Sequence, residues 1–253
     1  MTKEVTYLGK GAHAGGSPHN GINALYAANL GMQAVNSLRE TFQEKDCIRF
    51  HPIITCGGDA VNAIPDRVCL ESYVRGATVE AIAKENEKIN RALAGAAAAM
   101  GCKLQLKDLH GYAPRMNDVN MKQIFKEAAL TFLPEEKINL TESWGTGCSD
   151  MGDVNCVMPS MHPYAGGAKG AAHSSAYHIV DPYLACVVSA KVQVATAALL
   201  LQDDAAKARM VLAEGRQDYP SIADYLASID KLSYQGDCVS YNEDGTVQLQ
   251  FKN

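Results

Sequence analysis

Over the first 112 residues the spacing of apolar side chains alternates between a period of two and one of about 3.6, an order that few layered folds satisfy. Val5 to Ala14 reads as a strand ending in glycines, and Ile22, Leu25, Met32, Val35 and Phe42 then recur near helical spacing. Ile48 and Phe50 alternate with polar neighbours toward Ile54. The turn residues Cys56-Gly57-Gly58-Asp59 separate that strand from one in which Val68, Leu70, Ser72 and Val74 share a face. Thr78 is placed to cap a second helix with the stripe Ile82, Ile89, Leu93, Ala96 and Met100, and Gly101 near its end precedes the alternating Leu104 and Leu106. The order βαββαβ predicts a ferredoxin-like layer over residues 1–112, with two helices covering one face of a four-stranded sheet. Pro52 has no N–H to give to a ladder, so it suits an edge or a bulge.

Beyond Tyr112-Ala113-Pro114 the character changes. Asn117 or Asp118 is placed to cap a helix carrying Ile124, Phe125, Ala128 and Phe132, and after Pro134 a Gly-rich stretch from Trp144 to Gly170 shows little periodicity and reads as functional loops. Tyr183 to Leu201 is apolar but interrupted by Ser189, Lys191 and Gln193, short of the ~20 uninterrupted apolar residues of a membrane span. It is expected as a buried helix, started by Asp181 as cap and Pro182 in the first turn. From Gly215 onward a helical patch around Ile222 to Ile229 and a hairpin turning at Asn242-Glu243-Asp244-Gly245 are expected. A formal charge of −5 gives no general attraction for phosphate backbones or anionic lipid. A base-stacking ferredoxin-like module is disfavoured further, because the central strands lack the aromatic cluster it needs. Eight cysteines without a CxxC pair are expected as reduced, mostly buried thiols, and Met1-Thr2-Lys3-Glu4-Val5 has no secretory pattern, so the cytoplasm is the expected location.

Histidine both ligates metals and titrates near neutrality, so its placement matters most. His13 lies among small residues in Gly9-Lys10-Gly11-Ala12-His13-Ala14-Gly15-Gly16, where a ligand can approach the backbone, although a plain turn histidine fits as well. His173 and His178 are five apart, which puts them on opposite faces of a strand and about 140° apart on a helix, so they are not expected to grip one ion together. No HExxH and no cysteine cluster is present. Gly145-Thr146-Gly147-Cys148-Ser149-Asp150 lacks the Lys-Ser/Thr ending of a phosphate loop, and Cys148 reads more simply as an inert thiol than as a nucleophile.

These residues carry a combined pattern. Gly9-Lys10-Gly11-Ala12-His13-Ala14, Pro18, Gly21-Ile22-Asn23-Ala24, Gly57-Gly58, Asn62-Ala63-Ile64-Pro65-Asp66 and Val74-Arg75-Gly76 resemble the metal-dependent amidohydrolases of the aminoacylase and glutamate carboxypeptidase superfamily. Ser149-Asp150-Met151-Gly152-Asp153-Val154 with Pro159, and Gly170-Ala171-Ala172-His173-Ser174-Ser175, look like its branch containing aminobenzoyl-glutamate hydrolase and indole-acetyl-amino-acid hydrolases. The resemblance implies an α/β protein. In it, residues 1–112 form the lid and dimerisation domain, 113–215 the C-terminal half of a catalytic α/β domain, and 216–253 an extension. It implies hydrolysis of the amide of N-acyl amino acids or small peptides with a divalent metal, zinc or manganese, and a homodimer through the lid. By resemblance His173 is a metal ligand, His13 the lid histidine that steadies the oxyanion in the partner subunit's site, and Asn62 and Arg75 the residues that hold substrate, Arg75 on its carboxylate.

The chain also departs from the family, which carries before the lid a His-x-x-Gly-His-Asp-like motif, a bridging acidic ligand and a Glu-Glu pair. An open zinc site needs about three protein ligands, and the resemblance assigns one here, so this chain alone is expected to be inactive and to hold no metal tightly. A fragment is the preferred explanation, ahead of a separate chain bearing the N-terminal half or of lost catalysis. The alternative is a non-catalytic oligomerisation or carboxylate-binding protein of the same descent.

Overall fold

The computed structural model describes residues 1–141 and 147–251. In chain order the elements are β1 (Thr2–Leu8), α1 (Ala24–Ser37), β2 (Arg49–Phe50), β3 (Ile53–Cys56), β4 (Arg67–Arg75), α2 (Val79–Ala99), β5 (Lys103–Leu109), α3 (Val119–Leu130) and α4 (Asp150–Val157). There follow β6 (Ala168–Lys169), β7 (His178–Ile179), α5 (Ser189–Glu214, entered through a π-helical turn at Tyr183–Val188), α6 (Ile222–Asp230), β8 (Tyr234–Tyr241) and β9 (Val247–Leu249). They fall into two compact units, Met1–Pro114 with Leu226–Asn253, and Arg115–Tyr225.

In the first unit the sheet order is β2-β4-β1-β5-β8-β9, with β3 also paired to β4. Strand β1 is antiparallel to both β4 (Val5 opposite Leu70) and β5 (Val5 opposite Leu106), which is the ferredoxin-like βαββαβ arrangement. Period-two alternation sends Val5, Tyr7, Val68, Leu70, Val74, Leu104 and Leu106 to one face, where they meet Ala27, Ala28 and Val35 of α1 and Ile89, Leu93 and Ala97 of α2. Asn23 and Thr78 start the two helices, their side chains accepting from Tyr26 and Ala81 amides at 3.1 Å each. Gly31 lets α1 lie against the Tyr7 ring; a Cβ there would be 2.1 Å from the Tyr7 hydroxyl.

Several boundaries differ from expectation. The strand expected over 5–14 ends at Leu8, and residues 9–14 continue as irregular pairs with Ile22 and with 62–66. The strand from Ile48 to Ile54 is broken into β2 and β3 at His51-Pro52, on the sheet edge where a missing N–H is tolerated. Residues 234–249 add two antiparallel strands to the sheet of the first unit, β8 lying beside β5 and turning at Asn242–Thr246 into β9.

In the second unit α3 packs along α5 through Ala128, Ala129, Val188 and Val192. Asp118 caps α3, accepting from the Met121 amide at 2.9 Å, while Asn117 accepts from the His162 amide at 2.8 Å. Asp181 accepts from the Leu184 amide at 2.9 Å, as its capping position implies. The expectation of a buried helix here is overturned: Tyr183, Val187, Val194 and Leu201 are exposed, because α3 covers one stripe and leaves the remaining apolar residues outward. By length and composition Tyr183–Glu214 is apolar enough to cross a membrane, yet its backbone leaves helical geometry at Gln202–Ala205. The cysteines also depart from a mostly buried pattern. Cys102, Cys156 and Cys238 are buried, burial pushing the Cys102 thiol up to about 11, whereas Cys47, Cys69 and Cys148 are half-buried and Cys56 and Cys186 exposed.

Candidate functional site

The loop after β1 is pinned on both sides by backbone hydrogen bonds. Gly9 N–H donates to Asp66 O at 2.7 Å, Ile64 N–H to Ala12 O at 2.9 Å and Ala14 N–H to Asn62 O at 2.8 Å, so His13 faces Ala63 across a short irregular ladder. Its imidazole turns back on the following residues. Nδ1 accepts from the amides of Gly15 at 3.2 Å and Gly16 at 2.8 Å. A nitrogen that accepts carries no proton, so the neutral ring bears its hydrogen on Nε2, and His13 presents an exposed N–H donor from a turn made of small residues.

The same ladder brings Asn62, also exposed, beside His13. Arg75 is elsewhere. It ends β4, and at ~3.3 Å per residue the nine residues of that strand separate it from Arg67 by roughly 26 Å. The Arg75 guanidinium lies 5.1 Å from the centre of the Tyr73 ring, a cation–π contact that orients its plane, and Arg49 is its cross-strand neighbour. The first unit therefore sets two of the expected residues together and the third at the opposite end of the sheet.

In the second unit His173 sits at the tip of the β6–β7 hairpin, exposed, with a left-handed backbone (φ 63°). His178 pairs with Lys169 in that hairpin, and its Nδ1 meets Ala176 O at 2.7 Å. Gly170 has φ 94° and a Cβ there would be 2.3 Å from Ala176 O, so the turn that carries His173 needs glycine. Gly170→Ala is expected to raise the exchange rate of the Val180 amide, bonded to Gly167 O, by about tenfold or more, a cost of ~1.4 kcal/mol; unchanged exchange would remove the strain argument. Among the described residues no three His, Cys, Asp or Glu side chains converge on a common point. A divalent ion therefore does not fit the described residues by themselves. Of the glycine-rich segment considered for phosphate, Gly145 and Thr146 lie outside the described residues. Cys148 is half-buried.

Against known families, residues 1–100 match the model described as the peptidase dimerisation domain. Those residues are similar to a peptidase dimerisation domain. They hold β1 to β4 and the pattern of Gly9–Ala14, Asn62–Asp66 and Arg75, so the family resemblance and the layered α/β architecture are upheld. Among curated proteins, the Xaa-Arg dipeptidase of Mus musculus is 31% identical over 165 residues, 63% of this chain and 37% of that protein. The Xaa-Arg dipeptidase of Homo sapiens is 30% identical over the same shares. The chain thus spans little more than a third of these relatives. Among solved structures, a protein of methicillin-resistant Staphylococcus aureus designated an aminohydrolase superposes with a TM-score of 0.60 at 23% identity, covering 78% of this chain and 50% of that one. At that identity the likeness establishes the fold.

Outside residues 1–100, one polar cluster escaped the sequence reading. Arg115 donates to Gly147 O (3.1 Å), to His162 Nδ1 (2.9 Å) and to Tyr164 Oη (2.7 Å). Arginine can only donate, so His162 likewise carries its neutral-form proton on Nε2. Forty-seven residues separate Arg115 from His162, and no local spacing rule links them.

Proposed function

We propose that this chain supplies the substrate-orienting lid and the returning part of a metal-dependent amidohydrolase that, in complete form, cleaves the amide of N-acyl amino acids or small peptides. The observation that carries the reading is the His13 tautomer. An Nε2–H donor held in place by two backbone amides is suited to a carbonyl oxygen that gains negative charge as the amide is attacked. The relatives named as Xaa-Arg dipeptidases support a peptide-like amide as substrate. His173 is assigned as one ligand of zinc or manganese, with the other ligands and the general base supplied by residues beyond those described.

Arg75 and His13 cannot both reach one small substrate within a single lid, since two peptide units span only ~7 Å. A homodimer resolves this, with His13 and Asn62 of one copy serving a site that Arg75 of the other helps to build. The exposed Ile53 and Ile54 on the edge strand β3, with Tyr26 and Leu30 exposed on α1, give the lid an apolar margin for such pairing.

The test is expression of the whole reading frame that contains this sequence. Metal-dependent release of free amine from N-acyl amino acids or dipeptides is expected from it, and from the 253-residue chain alone neither turnover nor stoichiometric metal. Tight zinc in the chain alone would overturn the assignment of outside ligands. In the complete enzyme, Arg75→Lys should raise KM for carboxylate substrates by about tenfold and leave descarboxy analogues unchanged, because lysine cannot reproduce the paired hydrogen bonds of guanidinium on carboxylate. Equal losses for both substrates would remove Arg75 from the carboxylate.

A further inference from the structure

We infer that Cys56 and Cys69 form a reversible disulfide that clamps the loop carrying Asn62. The two residues are direct partners across antiparallel strands β3 and β4. The register is unusual: Ile53 opposes Glu71 and Ile54 opposes Leu70, after which it shifts between Ile54 and Cys56. Without the shift Thr55 would oppose Cys69, and Cys56 would fall opposite buried Val68. The extra residue turns Cys56 onto the face of Cys69, the re-aiming that bulges provide. Facing residues of an antiparallel pair have Cα atoms about 4.5–5.5 Å apart, inside the roughly 4.4–6.8 Å span of protein disulfides.

Access and location both suit a switch. Both thiols are free; Cys56 is exposed and Cys69 half-buried, with its Sγ 3.7 Å from Thr6 Oγ1. Cys102, Cys156 and Cys238, by contrast, are buried. The chain between the two sulfurs, residues 57–68, contains Asn62 and the Ala63 that pairs with His13, so a bond at its base would restrain both residues of that end of the lid. Closure needs a two-electron oxidant, and a low-molecular-weight disulfide supplies it. The Cys56 thiolate attacks one sulfur of the small disulfide and releases one small thiol. The Cys69 thiolate then attacks the Cys56 sulfur and releases the second, the two cysteine protons passing to the two departing thiolates. A small-thiol reductant reverses both steps.

The experiment equilibrates the full chain in buffers of reduced and oxidised glutathione, traps free thiols with iodoacetamide and maps non-reduced peptides by mass spectrometry. A Cys56–Cys69 cross-linked peptide is expected, two hydrogens lighter than the separate peptides, with exchange of the Ile64 amide slowed by about fivefold or more in the oxidised form. Cys69→Ser should leave Cys56 as a glutathione mixed disulfide. Alkylation of both thiols under oxidising conditions, a Cys56–Cys56 link between two copies, or a mixed disulfide on Cys56 in the unaltered chain would each overturn the inference.

Discussion

On the function proposed above, His13→Ala is expected to lower turnover of the complete enzyme by about 100-fold or more while leaving metal content unchanged, the magnitude associated with removing one donor to a developing oxyanion. The imidazole does two things through two nitrogens, and substitutions can separate them. Nδ1 holds the turn by accepting from Gly15 and Gly16, and Nε2–H is the outward donor. Asparagine can place its carbonyl oxygen near Nδ1 and keep the turn, but it has no donor at the reach of Nε2. Glutamine extends an N–H to that reach and loses the acceptor. Turnover is therefore expected to fall with His13→Asn nearly as far as with alanine and to be partly retained with His13→Gln, although the loop is better protected from exchange in the asparagine variant. Steady-state assays with metal analysis and amide exchange of Gly15 and Gly16 check this. Full turnover in the asparagine variant would mean that His13 shapes a loop and touches no substrate.

What the sequence shows of this arrangement follows from how local the signals are. The βαββαβ order is legible because each strand and helix carries its own period, and Thr78 there, with Asp181 and one of Asn117 or Asp118 in the second unit, marks a helix start without reference to the rest of the chain. The burial of the helix after Asp181 is not legible in the same way, because apolar content reports what a helix can bury and a partner decides what it does bury. His13 and Asn62 are singled out by pattern, but the tautomer of His13 depends on two amides whose direction only the folded turn sets. The register shift that pairs Cys56 with Cys69 leaves no trace in alternation, since the bulge breaks the very period by which a strand is read.

Asp108→Ala is expected to cost the first unit about 3–5 kcal/mol, a large part of the ~5–15 kcal/mol of a whole domain. Lys3 precedes the first residue read as strand, yet β1 begins at Thr2 and its alternation sends Lys3 to the same face as Val5 and Tyr7, where it is 1% exposed. Its ammonium is bonded to Asp108 and, at 2.5 Å, to Asn90 Oδ1. The other Asp108 oxygen accepts from Asn86 Nδ2 at 2.7 Å and Asn90 Nδ2 at 2.9 Å. Burial pushes the Lys3 amine below its ordinary value, and the Asp108 carboxylate opposes that push. Removing Asp108 strands a cation between sheet and α2 with one amide oxygen for company, so the loss exceeds what the pair contributes. Lys3→Met should be costly for the mirror reason, leaving a buried carboxylate held by two amides. The double variant Lys3→Met with Asp108→Leu should lose far less than the sum, because an apolar pair of similar volume incurs no desolvation of charge. Urea unfolding of the unaltered chain, Lys3→Met, Asp108→Leu and the double variant closes the cycle. Additive losses would show that Lys3 and Asp108 act independently, and the network would then be two separate polar contacts instead of one buried unit joining β1, β5 and α2.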